Sequence, residues 1–160
     1  MRIVLFEPEI PPNTGNIARL CAATHVALDL IEPLGFKLEN RYLRRAGLDY
    51  WPNVELRVWP DWQAFLAARD ENERLIMTSS KIREKSVPVH LFSFTPQDSL
   101  VFGPETRGLP EDILSTSPYH VRIPMYPQGV RCINLSTCAG IVLYQALFSC
   151  GIPQSWLTSQ

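Results

Sequence analysis

This sequence of 160 residues implies an α/β architecture, a parallel sheet with helices on both faces. Short apolar runs alternate with stretches of helical period, which is the pattern of repeated βαβ units. Prolines stand where those runs stop (Pro8, Pro33, Pro60, Pro104 and Pro124), and three of the loops that follow share a glycine- and proline-punctuated grammar.

Residues 3–6 read as the first strand, and Asn13 is the expected N-cap of a helix on which Ile17, Leu20, Cys21 and Thr24 recur at helical spacing. Arg19 lies two residues, about 200° of helix, from Ile17 and is expected to face away from that apolar stripe. A second strand at 27–31 precedes a helical pattern at 42–46, and a third at 56–59 precedes a helix over 62–68. Further strands are expected at 75–78, 100–102 and 121–123. Asn134 then caps a last helix with one face formed by Leu135, Ala139, Val142, Leu143, Ala146, Leu147 and Cys150, and a second by Ile141, Tyr144 and Phe148. A helix apolar nearly all round must be covered on both sides, and a homodimer interface is the economical cover. The absence of any Asp, Glu, Lys or Arg after Arg131 points the same way.

The length suits one domain over 1–160. A hydrophobic content of 46% with 19% charged residues excludes a disordered chain. No apolar run reaches the ~18 residues that span a bilayer, and Met1-Arg2-Ile3 leads into a strand-like run without a signal-peptide core, so a cytoplasmic protein without membrane contact is expected. Four cysteines (Cys21, Cys132, Cys138 and Cys150) form no C-x-x-C pair, and His25, His90 and His120 stand far apart, so no metal site is expected. A net charge of -1 excludes a generic nucleic-acid coat, yet Arg41, Arg44 and Arg45 form one basic cluster and Lys81, Arg83 and Lys85 another.

The three loops are P-P-N-T-G-N-I-A-R, F-G-P-E-T-R-G-L-P and I-P-M-Y-P-Q-G-V-R-C-I-N-L-S. Ligands of open α/β sheets bind beyond the carboxyl ends of strands, where such loops converge. Gly103 and Gly108 permit close backbone approach or positive φ, Pro104 and Pro110 fix the path, and Glu105 with Arg107 either lock the loop or touch a substrate. No G-x-x-x-x-G-K-[ST], G-x-G-x-x-G or G-x-S-x-G motif is present, which argues against P-loop, dinucleotide and hydrolase chemistry.

Taken in order, E-P-E-I-P-P-N-T-G-N-I-A-R-L-C, L-R-R-A-G-L-D-Y, F-G-P-E-T-R-G-L-P and I-P-M with I-N-L-S resemble the SPOUT superfamily of RNA methyltransferases, and within it the small single-domain branch that methylates the ribose 2′-oxygen of the tRNA wobble nucleotide. The resemblance implies a C-terminal deep trefoil knot, S-adenosyl-L-methionine (AdoMet) as methyl donor bound in that knot, a tRNA anticodon stem-loop as substrate, and an active site shared across a homodimer. Carried over, the cofactor positions are Thr78, Gly103, Ile123, Met125, Cys132, Ile133 and Leu135. The active-site positions are Asn16, Arg19, Glu105, Asn134 and Ser136, with Tyr144 assisting. Arg41, Arg44, Arg45 and Arg107 become candidate RNA contacts. The family commonly has serine where this chain has Cys132, and the loop over 123–134 is one residue longer here, with Gly129 inside it. The rival readings are ribose methylation at another tRNA or ribosomal RNA site, and a noncatalytic dimer that binds AdoMet and RNA.

Overall fold

The computed structural model describes residues 1–38, 51–79, 82 and 84–158. The helix expected at 42–46, the cluster Arg41, Arg44 and Arg45, and Lys81 and Arg83 of the second cluster lie outside the described residues.

Among the described residues, seven strands form one sheet in which every pairing is parallel: β1 (Arg2–Phe6), β2 (Ala27–Ile31), β3 (Leu56–Trp59), β4 (Leu75–Thr78), β5 (Val87–Pro88), β6 (Ser99–Phe102) and β7 (Tyr119–Arg122), in the order β3-β2-β1-β6-β4-β7-β5. The expected strands are present, with the last one displaced toward the N-terminus: 119–122 in place of 121–123. Tyr119 and His120 carry the polar half of that strand, which hid it from a search for apolar runs.

Alternation along the central strands divides the core between the two faces. Ile3 and Leu5 of β1, Leu28 and Leu30 of β2 and Leu100 and Phe102 of β6 enter one cluster. Val4, Phe6, Ile31 and Val101 enter the other. The first face is covered by α1 (Pro11–Thr24), through Ile17, Ala18 and Cys21, and by the last long helix, α4 (Leu135–Cys150), through Ala139, Val142, Leu143 and Ala146. The second is covered by α2 (Trp62–Ala68) and α3 (Glu111–Leu114), where the Trp62 ring meets Phe65 at 5.1 Å and Phe6 edge-on at 5.9 Å between centroids. A strand buried on both faces has few polar positions to spare, which is why β1 and β6 read as apolar runs over 3–6 and 100–102 and β2 is interrupted only at Asp29.

The start of α1 corrects one reading. The helix begins at Pro11 with Ile10 as N-cap, and Asn13 lies inside its first turn. Two prolines open the helix at positions where a missing N–H costs nothing. Asn134 does cap α4: its side-chain oxygen accepts from the N–H groups of Ser136 (2.9 Å) and Thr137 (3.4 Å). A short helix, α5 (Gln154–Leu157), follows.

Polar residues at the amino ends of the strands are closed on one another. Asp98, fully buried, accepts from Arg74 Nε (2.8 Å) and Nη2 (2.7 Å) and from Thr95, and the Arg74 guanidinium lies 5.1 Å from the Tyr119 ring centre and 5.5 Å from that of Phe92. Arg2 bridges Asp29 (3.0 Å) and Glu73 (2.9 Å), and Asp29 also accepts from the Trp59 indole at 2.7 Å. Removing one member of a buried charged pair strands the other without its water. Asp98→Asn is expected to cost about 3 kcal/mol of unfolding free energy, read by urea denaturation, with the opposite end of the sheet untouched.

Candidate active site

The carboxyl ends of the strands are built differently. The loop after β1 leads into α1, the loop after β6 runs through 103–110, and the loop after β7 runs through 123–134 into α4. They enclose, with the end of β4, a cleft of about 660 Å³, within the range of small-molecule sites.

Glu105 holds two of the loops together. One carboxylate oxygen accepts from the Glu9 N–H (2.9 Å), and the other accepts from the Ile10 N–H (3.2 Å) and Asn13 Nδ2 (2.9 Å). Glu9 returns the contact, accepting from the N–H (2.9 Å) and hydroxyl (2.8 Å) of Thr106. An anion placed against the free N–H groups of a helix start is in its favoured place. The Thr106 bonds, backbone first, hold the Glu9 carboxyl below the ordinary glutamate range. Arg107 forms an ion pair with Glu7, which sits at φ 47° just after β1.

Asn13 extends the connection to the third loop. Its oxygen accepts from Asn134 Nδ2 at 2.9 Å, while the oxygen of Asn134 binds the start of α4 and the Ser136 hydroxyl (2.7 Å). Asn13 is buried, so this amide has one allowed orientation, donor toward Glu105 and acceptor toward Asn134.

Backbone geometry explains the glycines of the middle loop. A Cβ on Gly103 would lie 2.2 Å from the Leu109 nitrogen and 2.5 Å from the Gly108 carbonyl carbon, so only glycine lets the loop fold back on itself. Gly108 adopts φ 66°, the left-handed region, and its N–H donates to the Pro104 carbonyl at 2.8 Å.

All seven expected cofactor positions line this cleft. Thr78 and Gly103 form the wall at the strand ends, Ile123 and Met125 a second wall, and Cys132, Ile133 and Leu135 a third. Glu105, Arg107 and Asn134 line it as well. Asn16, Arg19, Ser136 and Tyr144 do not: Asn16 and Arg19 are exposed on α1 as its helical phase requires, Ser136 sits beside Asn134, and Tyr144 lies on the outer face of α4, 40% exposed with Phe148 beside it at 5.9 Å between ring centres. Sequence reasoning missed Glu9 and Thr106, and it gave Asn13 a capping role in place of its bridging one. The signal for Asn13 was its place in P-P-N-T-G-N, three residues from Asn16. Cys138 also faces the cleft, with burial pushing its thiol up to about 11.

Residues 1–144 match the SpoU rRNA Methylase family. The chain belongs to that family. Among curated relatives of this SpoU protein, it is 46% identical to the tRNA (cytidine(34)-2'-O)-methyltransferase of Escherichia coli (strain K12), over 96% of each chain. It is 47% identical to the protein of the same name from Methylovorus glucosotrophus (strain SIP3-4), over 90% of this chain and 92% of that one. A solved structure described as giving insight into 2-OH methylation of C/U34 on tRNA superposes with a TM-score of 0.86 at 42% identity, covering 92% of this chain and 94% of the other. The SpoU methyltransferase AviRb from Streptomyces viridochromogenes, solved in complex with the cofactor AdoMet, shares the fold at a TM-score of 0.78 and 22% identity, over 92% of this chain and 59% of that one.

Two outcomes follow from this geometry. Asn13→Asp places a second carboxylate against Glu105 and removes its donor, and is expected to lower stability by about 2 kcal/mol at pH 7, measured by thermal unfolding. Because Glu9 is depressed in the folded state, its contribution is complete above the unfolded glutamate pKa and is lost as pH falls from there through the lower folded value. The protection of the Thr106 amide, its exchange rate relative to an unstructured peptide at the same pH, is expected to fall over that window in the parent chain and to fall less in Glu9→Gln.

Proposed function

We propose that the chain transfers a methyl group from AdoMet to the ribose 2′-oxygen of the nucleotide at position 34 of tRNA, acting as a cytoplasmic homodimer whose single domain, 1–160, carries a C-terminal trefoil knot. The observation that carries this reading is the cleft itself: three loops of the family's motifs meet at one sheet end, tied by the Glu105–Asn13–Asn134 chain. The curated relatives named for that reaction match this chain over nearly their whole length.

The cleft fits the methyl donor. Thr78 Oγ1 is buried at its wall without a hydrogen-bond partner among the described residues, in need of a polar group. Ile123, Met125, Ile133 and Leu135 supply apolar surface for a flat heterocycle, and the loop backbones supply polar edges. When bound, AdoMet supplies an electrophilic methyl group on a sulfonium. The protein's share is placement: Glu105 and Asn134 fix the loops against each other, and Arg19 engages the RNA as a phosphate clamp and stabilises charge developing on the 2′-oxygen. Arginine keeps its proton at neutral pH and is a poor base, so its planar charge and not proton uptake is its contribution. Asn16, Ser136 and Tyr144 complete the polar surroundings of the acceptor, and Arg41, Arg44, Arg45 and Arg107 meet the RNA backbone.

Support for the dimer comes from the outer face of α4. Ile141, Tyr144 and Phe148 are 39%, 40% and 63% exposed in one protomer, an aromatic strip that a second copy would cover. In the dimer reading, Tyr144 and Arg19 join the cleft as the shared half of the site.

Purified protein incubated with AdoMet and an unmodified tRNA transcript is expected to yield one 2′-O-methylated nucleotide, at position 34, by nucleoside mass spectrometry of ribonuclease fragments. Arg19→Lys is expected to lower turnover at least 10-fold with AdoMet binding retained, since the bidentate geometry is lost. Methylation elsewhere, or none, overturns the assignment.

A further inference from the structure

We propose that Tyr126 is a stacking platform for the base of the acceptor nucleotide, with Arg131 beside it engaging that nucleotide's phosphate; this rests on reading the cleft as a tRNA ribose methyltransferase site. Tyr126 is 74% exposed and Val130 69%, more than the other exposed large hydrophobic residues among those described. They are not scattered on the surface. Met125 and Arg131, which bracket them in sequence, both line the cleft, so the turn 126–130 forms its lip.

That turn is fixed. The Gly129 N–H donates to the Tyr126 carbonyl at 3.0 Å, and Pro127 sets the backbone between them. A Cβ on Gly129 would approach the Tyr126 oxygen to 3.2 Å, its Cβ to 3.8 Å and its Cδ1 to 3.9 Å. The glycine therefore lets the turn close tightly around the tyrosine without covering its ring. A tight turn that presents an aromatic face and a cation at the lip of a cofactor cleft matches the needs of a single nucleotide, whose base offers a π-face and whose backbone offers an anion.

Methylation of a ribose requires only the sugar's 2′-oxygen to reach the methyl donor, and in this proposal the base stays at the lip of the cleft. Tyr126 is placed to hold it there. Stacking tolerates base identity because every base has a π-face, so this platform would accept cytosine and uracil alike.

The test uses the full chain and an anticodon stem-loop RNA carrying 2-aminopurine at the acceptor position. Fluorescence is expected to be quenched on binding to the parent chain and to Tyr126→Phe, and to stay bright with Tyr126→Ala. In steady-state assays Tyr126→Ala is expected to raise KM for tRNA about 10-fold with AdoMet affinity unchanged. With an abasic acceptor nucleotide, the parent and Tyr126→Ala chains are expected to behave alike. Equal quenching by Tyr126→Ala, an unchanged KM, or a shift of oligomeric state in light scattering that accounts for the loss would each overturn the proposal. Quenching by a parent chain that methylates no tRNA would instead overturn the functional assignment and leave the platform standing.

Discussion

The site depends on one buried amide. Asn13 donates to Glu105, 92 residues away in sequence, and accepts from Asn134, 121 residues away. A side chain with a donor on one end and an acceptor on the other is the smallest device that can join a carboxylate to a second amide without leaving either unpaired. Hydrogen bonds to a charged group contribute about 1.5–3 kcal/mol each, against about 1 kcal/mol for neutral ones. The Glu105 carboxylate, with three donors against the two of Glu9, is therefore the most heavily bonded acid between the two loops, and Asn13 passes its constraint to the loop that opens α4.

The two ends of the sheet solve different problems with the same residue types. At the amino end Arg2, Asp29, Glu73, Arg74 and Asp98 pair among themselves. At the carboxyl end the acids bond mostly to backbone and amide N–H groups, and the buried Thr78 hydroxyl at the cleft wall has no partner among the described residues. A closed ionic network stiffens strands; acids spent on loop backbones leave a cleft shaped but open. This difference separates a structural polar cluster from a functional one, and burial or charge alone does not.

Much of this was legible in the sequence because the signals were local. A strand buried on both faces announces itself as an apolar run, so residues 75–78 coincide with β4; 27–31 coincide with β2 around the single buried Asp29, and 56–59 with β3, an end strand whose Arg57 and Val58 are exposed. Prolines one or two residues past β1, β2, β3, β6 and β7 marked those ends. Asn134 read as an N-cap because α4 starts directly behind it. Asn13 was misread for the same local reason: asparagine near a helix start looks like a cap, and nothing within ten residues reveals a partner at 105 or 134. The reciprocal Glu9 and Thr106 contact was invisible on the same ground. The placement of cofactor residues came from motif resemblance, since no periodicity relates Thr78, Gly103, Ile123 and Cys132.

The chemistry that such a cleft can perform follows from what its walls contain. Among the described residues lining it there is no histidine, and the one glutamate spends its oxygens on three N–H donors. General-base assistance contributes about 10²- to 10⁴-fold where it exists, whereas holding two reactants in a near-attack pose is worth up to about 7–11 kcal/mol. A cleft poor in bases and rich in conformational restraint, with Gly103 admitting no side chain and Gly108 held at positive φ, is built for the larger of the two effects. In the proposed reaction a cationic group acts on the charge of the acceptor oxygen and not as a proton carrier, because an arginine that cannot release its proton at neutral pH cannot take one up. On the proposed reading, rate is thus a property of loop geometry, and the residues that set it are those that bind loop to loop.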